Sequence, residues 1–135
     1  MQAIADTGYL VALLRRDDEY HSWATGLAGQ LTLPLLTCEA VLAETAFHLR
    51  SSAYVLAMVQ HGAVRVAFNC ASHVDHLHDL AIRYADRNAD LADLCLIRMS
   101  ELYPRHALIT VDEEDFRVYR RNKREAIPLL CPPKK

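Results

Sequence analysis

The sequence predicts an α/β fold, a three-layer α/β/α sandwich around a central, mainly parallel sheet of four to five strands. Short apolar runs alternate with longer segments of helical periodicity, an alternation typical of βαβ units. A length of 135 residues fits a single domain over 1–135. Apolar residues make up 52% of the chain and charged residues 24%, which excludes a disordered tail, a collagen-like chain and a coiled coil.

Five short apolar runs predict the strands of the sheet. Pro128 has no backbone N–H to donate, so the last run is expected at an edge. Right-handed crossovers put the carboxyl ends of parallel strands on one side of the sheet, where ligands bind in such folds. The predicted strands cover residues 2–5, 31–36, 63–68, 106–110 and 126–130.

Seven further segments have helical periodicity. Gly62 follows the fourth of them in a position suited to a C-cap, and Pro104 ends the sixth. The seventh is short enough to be a helix or a turn. The predicted helices cover residues 9–14, 19–27, 37–49, 51–60, 72–84, 90–103 and 113–119.

The net charge of −2 conceals two opposed segments. Residues 86–115 hold eight acidic and three basic side chains, whereas residues 116–135 hold seven basic and one acidic. A metal-dependent enzyme that acts on a polyanion needs such an acidic cluster beside a basic segment. Ordinary solvated helix faces would account for the same charges.

Cysteine usage and the N-terminus indicate the compartment. No two of the four cysteines are closer than 25 residues, and their apolar neighbours predict free thiols in a reducing environment. Asp6 interrupts the first apolar run, so no signal peptide is predicted, and no apolar stretch is long enough to span a membrane. We therefore expect a cytoplasmic protein that does not enter a membrane.

Acidic residues from four elements are expected at the carboxyl edge of the sheet. Asp6 directly follows the first strand, and Asp112 follows the fourth by two residues. Asp90 and Asp93 share a face in the first turn of one helix, and Glu44 lies in the helix after the second strand. Their repulsion would be costly without a cation, and oxygen-only ligands suit Mg²⁺ or Mn²⁺.

Each of these acids also has a purely structural interpretation. Asp6, Asp90 and Asp112 stand where side chains cap helix N-termini, and acids there are favoured by the helix dipole. Glu44 could pair with Arg50. The residues alone leave both interpretations open.

Four segments, in this order, resemble the motifs of the PIN-domain ribonucleases and, within that family, of the VapC-type toxins. The opening apolar strand ends in Asp6-Thr7, as the family's first motif does. The second motif places its acid on Glu44, because helical phasing and the preceding Leu-Ala favour it over Glu39. The resemblance covers almost the whole chain through segments 3–10, 36–45, 89–94 and 108–116.

The resemblance implies a metal-dependent endoribonuclease that hydrolyses RNA phosphodiester bonds with one or two Mg²⁺ or Mn²⁺ ions. Asp93 is the principal acid of its third motif, with Asp90 as a companion, and would orient or deprotonate the attacking water. Thr7 and Thr110 would support the ligands or donate to substrate phosphate. The implied catalytic and metal-binding acids are Asp6, Glu44, Asp93 and Asp112.

The basic segment after these motifs is expected to hold the RNA backbone electrostatically, without reading its sequence. Its predicted RNA-binding residues are Arg117, Arg120, Arg121, Lys123 and Arg124. The resemblance further implies that the protein is the toxin of a toxin–antitoxin pair, with a small protein antitoxin as partner, and that it forms a homodimer.

Other classes fit the sequence less well. A phosphatase of the haloacid-dehalogenase kind needs an Asp at position 8, where Gly8 stands, and a receiver domain needs a paired-acid motif and a late Lys that are not evident. His73, His76 and His78 lack zinc-site spacing and are interpreted as a solvated helix face. The alternative function is a non-catalytic PIN-like module that binds RNA or a protein.

Overall fold

A computed structural model describes residues 1–134 and confirms the α/β class. Five strands, all paired in parallel, form a central sheet in the order β3-β2-β1-β4-β7, consistent with a three-layer sandwich. A separate two-stranded antiparallel hairpin joins β5 to β6. The strands are β1 Ala3–Ala5, β2 Leu35–Thr37, β3 Val64–Val66, β4 Ala107–Ile109, β5 Arg120–Arg121, β6 Glu125–Ala126 and β7 Leu129–Leu130.

Seven α-helices lie where helical periodicity predicts them. Two single 3₁₀ turns, Cys70–His73 and Ala85–Arg87, precede and follow the fifth helix. Gly62 adopts φ +79° after the fourth, a left-handed conformation that suits glycine at a helix end. The helices are α1 Thr7–Leu14, α2 His21–Ala28, α3 Glu39–Leu49, α4 Ser52–Gln60, α5 Val74–Arg83, α6 Leu91–Leu102 and α7 Glu113–Val118.

The C-terminal part differs from its prediction as one edge strand over 126–130. Two short strands, β6 and β7, replace it, with Pro128 between them. Strand β7 pairs with β4 at the edge of the sheet, and β6 pairs with β5. Asn122 and Lys123 both have positive φ in the β5–β6 turn. The hairpin was not predicted because its residues are charged and lack an alternating apolar pattern.

The most deeply buried strand, β1, lies at the centre of the sheet, and this determines where the candidate functional residues lie. All three residues of β1 are fully buried, as expected for a parallel strand covered on both faces. Helix α6 buries most of its length, including Leu96 and Ile97, and contacts both β1 and β4. The chain leaving β1 and the chain leaving β4 therefore emerge side by side from a rigid core.

Two further observations bear on the expected compartment. The four cysteines are free thiols, as predicted, and Cys38 and Cys95 are buried. Within residues 1–134, no helix combines the length and the apolar character needed to cross a membrane.

Candidate metal centre

Asp6 is held where β1 ends and α1 begins. Its backbone N–H donates to the carbonyl of Ile109 at 3.0 Å, which extends the pairing of β1 with β4. Its Oδ1 accepts the backbone N–H of Thr7 at 2.7 Å, so Asp6 is the N-cap of α1. The side chain is only 8% exposed.

Asp90 and Asp112 are also N-caps, of α6 and α7. Asp90 Oδ1 accepts the backbone N–H of Asp93 at 2.9 Å, and Asp112 Oδ1 accepts that of Asp115 at 3.2 Å. The capping interpretation is thus confirmed for all three aspartates. A cap uses one carboxylate oxygen, however, and leaves the other for a further partner.

Glu44 does not form the structural pair considered for it. Its Oε1 accepts the hydroxyl of Thr7 at 2.6 Å, which links α3 to the start of α1. Within the part of the chain that the structure describes, Arg50 forms no salt bridge with it. Glu39, five residues earlier on the same helix, is exposed and lies outside the cleft that Glu44 lines.

The acids predicted from four separate motifs line a single cleft of about 510 Å³. Thr7, Gly8 and Val111 lie between them, and Arg15 and His48 border its far side. We call this space the acidic cleft. Its predicted acids are Asp6, Glu44, Asp90, Asp93 and Asp112.

Two threonine hydroxyls connect the acids of the cleft. Thr110 donates its hydroxyl to Asp6 Oδ2 at 2.7 Å and accepts the backbone N–H of Asp112 at 3.0 Å. Thr7 donates to Glu44, as described above. Both threonines are buried, and both contact the acids that they were predicted to support. Each carboxylate therefore has a fixed orientation without a neutralising charge.

Tyr119 supports an acid of the cleft from outside the cleft's lining, and this contact was not predicted. Its hydroxyl donates to Asp93 Oδ2 at 2.9 Å, while its ring is fully buried against Tyr84 and Phe116. Burial and the neighbouring Asp93 raise the pKa of the Tyr119 hydroxyl, which keeps it a donor. The sequence feature that could have indicated Tyr119 is its spacing of i and i+3 from Phe116, which places two aromatic residues on one helix face after an acidic turn.

Burial raises the pKa values of three aspartates in the cleft, because no salt bridge within residues 1–134 stabilises their ionised forms. Burial raises the pKa of Asp6 to about 6, against hydrogen bonds from Thr110 and Thr7 that lower it, and Glu44 and Asp112 raise it further. Burial raises the pKa of Asp93 to about 8, with Asp90 as the next cause. The pKa of Asp112 is also raised, chiefly by burial. These carboxylates are harder to ionise than ordinary aspartates, and a nearby positive charge would favour their ionised forms.

One group of acids could hold a metal ion on distance alone. Asp93, Asp112 and Asp115 each bring a carboxylate oxygen within 4.8 Å of the others. Asp115 already forms a salt bridge with Arg87 at 2.9 Å, which offsets its charge. Asp115 also lies outside the lining of the acidic cleft, whereas Asp93 and Asp112 belong to both sets. These two are therefore the strongest candidate ligands, and Asp115 mainly anchors Arg87.

The basic C-terminal segment is less available to RNA than its sequence suggests. Arg121 is 6% exposed, and its guanidinium binds the carbonyls of Ser100 and Pro104 and the carboxylate of Glu125. This burial corrects the prediction that Arg121 binds RNA. Charged residues are usually exposed, but this one is held in the contact between β5 and α6.

The other four predicted RNA-binding residues divide into two pairs. Arg117 forms a salt bridge with Glu113 at 2.7 Å, and Arg120 donates to backbone carbonyls of α7 and its end. Lys123 and Arg124 are exposed in the β5–β6 turn. Within residues 1–134, Arg120, Lys123 and Arg124 form no salt bridge with a carboxylate, and the last two are also exposed.

The histidine-rich helix holds no metal group among residues 1–134. His76 instead pairs with Glu101, and His73 accepts a hydrogen bond from Arg98.

Comparison with models of known protein families gives no match to this chain, and no curated protein matches it either.

Proposed function

We propose that this protein is a metal-dependent endoribonuclease whose acidic cleft binds one or two Mg²⁺ or Mn²⁺ ions. One observation carries the proposal. Four acids from separate elements line one cleft, and none of them forms a salt bridge within residues 1–134. The proposed ligands are Asp6, Glu44, Asp93 and Asp112.

The donor set fits a hard divalent cation. Every proposed ligand is a carboxylate oxygen, whereas zinc sites usually include histidine or cysteine. Burial, followed by the neighbouring carboxylates, raises the pKa values of Asp6 and Asp93 to about 6 and about 8, and a divalent cation in the cleft would stabilise their ionised forms. Thr7, Thr110 and Tyr119 already orient the carboxylates, which lowers the cost of binding.

In the proposed reaction, different residues of the chain have different roles. A bound divalent ion supplies Lewis-acid stabilisation of phosphate charge and lowers the pKa of water. Tyr119 occupies Oδ2 of Asp93, which leaves Oδ1 to accept a proton from the attacking water. In the metal-free protein burial raises the pKa of Asp93 to about 8, and a bound divalent cation would lower it again, so that the carboxylate is ionised and able to accept a proton. Asp6 and Glu44 stay fixed by the hydroxyls of Thr110 and Thr7.

RNA is the proposed substrate because the likeness of the four motifs to PIN-domain ribonucleases accompanies this cleft. The protein's net charge of −2 would become about +2 with two divalent ions bound, from −2 + 4, which reduces repulsion of a polyanion. The same likeness extends the proposal to the toxin of a toxin–antitoxin pair and to a homodimer. Growth arrest on induction, relieved by Asp93→Asn, would test the toxin role.

The primary test is cleavage of a panel of cellular RNAs by the purified protein with Mg²⁺, Mn²⁺ or a chelator. We expect cleavage only with the divalent ions, and its loss in Asp6→Asn and Glu44→Gln. Glu39→Gln is the matched control, because this glutamate shares α3 with Glu44 but lies outside the cleft. Cleavage that persists in chelator or in Asp6→Asn would overturn the proposal, and RNA binding without any cleavage would favour the non-catalytic module.

A further inference from the structure

A second groove, of about 890 Å³, adjoins the acidic cleft at the junction of α3 and α4. Arg15 and His48 line both spaces, so the groove and the cleft are continuous. The cleft is rich in carboxylates, whereas the groove's lining within residues 1–134 includes two arginines and no acidic side chain. The sign of the charge therefore changes across their shared border.

The groove displays an aromatic ring that the fold does not use. Phe47, in the last turn of α3, is 79% exposed, the largest exposed fraction among the large hydrophobic residues described. Its ring forms a T-shaped pair with that of His48, with ring centroids 5.7 Å apart. A phenylalanine left in water forgoes the stabilisation that burial would give, so its ring is available for a partner.

Two positive charges flank this ring. Arg50 ends α3 in the left-handed conformation with φ +54°, is exposed, and forms no salt bridge within residues 1–134. The guanidinium of Arg15 donates to the carbonyl of His48, which fixes it at the border of the two spaces. Its Nε lies 3.9 Å from a carboxylate oxygen of exposed Asp17.

We propose that this groove is a binding subsite for an unpaired nucleotide next to the scissile phosphate, with its base stacked on Phe47 and its phosphates near Arg50 and Arg15. The subsite rests on the proposed ribonuclease function. A flat base matches an exposed ring, and the flanking phosphates match the arginines. An acidic peptide would match the arginines alone and would leave the ring of Phe47 without a stacking partner.

The subsite selects unpaired over paired nucleotides for a geometric reason. A base inside a duplex already stacks on both faces, so a side chain can stack only on a base that is splayed out. Double-stranded RNA could contact Arg50 through its phosphates but could not use Phe47. Loss of the ring should therefore affect only single-stranded ligands.

The test is fluorescence anisotropy with a labelled single-stranded oligoribonucleotide and with a duplex of the same sequence, in chelator so that nothing is cleaved. We expect Phe47→Ala to weaken single-strand binding about 10-fold, in line with the loss of one stacked base. Phe47→Tyr should restore it, and duplex binding should not change. Tyr54→Ala is the matched control, since Tyr54 is an exposed ring on α4 that does not line the groove.

A second variant tests the charges. Arg50→Gln should weaken both ligands and reduce the slope of log Kd against log salt by about one. In active protein with Mn²⁺, Phe47→Ala should raise KM and leave kcat unchanged. Equal single-strand affinity in Phe47→Ala and Tyr54→Ala, or an equal loss on the duplex, would overturn the subsite, as would polyglutamate binding that depends on Phe47.

The outcomes separate the subsite from the proposed function. The binding assay contains no metal, so a Phe47-dependent preference for single strands supports the subsite even where no RNA is cut. Conversely, cleavage that needs Asp6 but is indifferent to Phe47 leaves the ribonuclease function standing and removes the subsite.

Discussion

Two groups of acids in this chain differ in whether positively charged side chains offset their charge. Around Glu101, whose side chain is 5% exposed, Oε1 lies 2.8 Å from His76 Nε2 and 3.0 Å from Arg98 Nη1. Its Oε2 accepts the backbone N–H of Asn122. We call Glu101 with these three partners the Glu101 cluster. In the acidic cleft, by contrast, the hydrogen-bond partners found for Asp6, Glu44 and Asp93 within residues 1–134 are hydroxyl and backbone N–H donors.

Under the proposed function, this difference distinguishes a structural acid, Glu101, from the acids proposed to bind metal. A buried carboxylate is costly unless it is paired, and the Glu101 cluster meets that cost within the chain. In the acidic cleft no ion pair offsets this cost for Asp6 or Asp93 within residues 1–134, and the pKa values of both residues are raised. An uncompensated group of this kind is expected where a ligand supplies the missing charge.

The largest expected effect is a contrast between Asp93→Asn and Glu101→Gln. Asp93→Asn keeps an oxygen for the Tyr119 hydroxyl but removes the base and its charge, so we expect cleavage to fall about 10²–10⁴-fold with no loss of stability. Glu101→Gln removes charge that Arg98 needs, so we expect about 1–3 kcal/mol less stability and normal activity per folded molecule. Urea unfolding and cleavage rates measure the two effects.

This contrast would fail in either of two ways. Glu101→Gln protein that remains folded but inactive would place the Glu101 cluster in the catalytic machinery. Asp93→Asn protein with full metal-dependent activity would remove Asp93 from it.

The second prediction concerns pH and stability in chelator. The folded pKa of Asp6 is about 6 against 3.8, so its contribution to stability is fully present below pH 3.8 and is lost as pH rises through about 6. This loss is on the order of 3 kcal/mol, because each unit of pKa shift corresponds to about 1.4 kcal/mol. Asp93, with a pKa of about 8, extends the loss to higher pH.

The pH prediction has an internal control and a metal arm. Asp93→Asn should flatten the upper part of the stability profile between the pKa values of about 6 and about 8, whereas Glu101→Gln should keep its shape. Mn²⁺ should restore stability at the upper end in wild-type protein and not in Asp93→Asn. Thermal unfolding measures all three, and a wild-type profile that rises with pH over this range would contradict the prediction.

Sequence patterns were sufficient for the α-helices, for the positions of the strands in the central sheet and for the positions of the acids that line the cleft, but not for the β5–β6 hairpin. Strands and helices follow from local periodicity, and Asp6, Asp90 and Asp112 could be located because aspartates that follow a strand or precede a helix have a defined local role. Capping and ligation both favour the same residue type at the same place, so the sequence could not choose between them. The structure shows that the caps also line one cleft.

The contacts that Tyr119 and Arg121 make with distant segments could not be predicted. Tyr119 reaches Asp93 across 26 residues, and Arg121 reaches Ser100 across 21. Neither pair lies in a motif or has periodic spacing. Arg121 was misjudged because charge normally indicates exposure, and the hairpin that buries it has no apolar alternation.

The third prediction concerns how tightly the cleft is packed. A Cβ added at Gly8 would stand 2.3 Å from Val111 Cγ2, and Val111 lies between Thr110 and Asp112. Gly8→Ala should therefore displace the loop after β4, with about 1–3 kcal/mol less stability and reduced activity. Adding Val111→Ala should restore both. Gly26→Ala in α2 is the control, since nothing lies within 4 Å of its added Cβ.

Relief by the second substitution is the decisive part of this test. A Gly8→Ala defect that Val111→Ala does not relieve would mean that the added methyl group acts on α1 itself. The cleft's dependence on this contact would then be refuted.

The smallest effect is expected from Tyr119→Phe, which removes a single hydroxyl from the cleft. The hydrogen bond to Asp93 Oδ2 lowers the pKa of that carboxyl, so its loss should raise a pKa already at about 8. Mn²⁺ binding and cleavage should then need higher pH, with a stability loss of about 0.5–1.5 kcal/mol. The pH dependence of Mn²⁺ affinity is the measurement. A profile of Mn²⁺ affinity that shifts to higher pH while its plateau is unchanged would show that Tyr119 tunes the charge of Asp93. An unshifted profile would contradict this role.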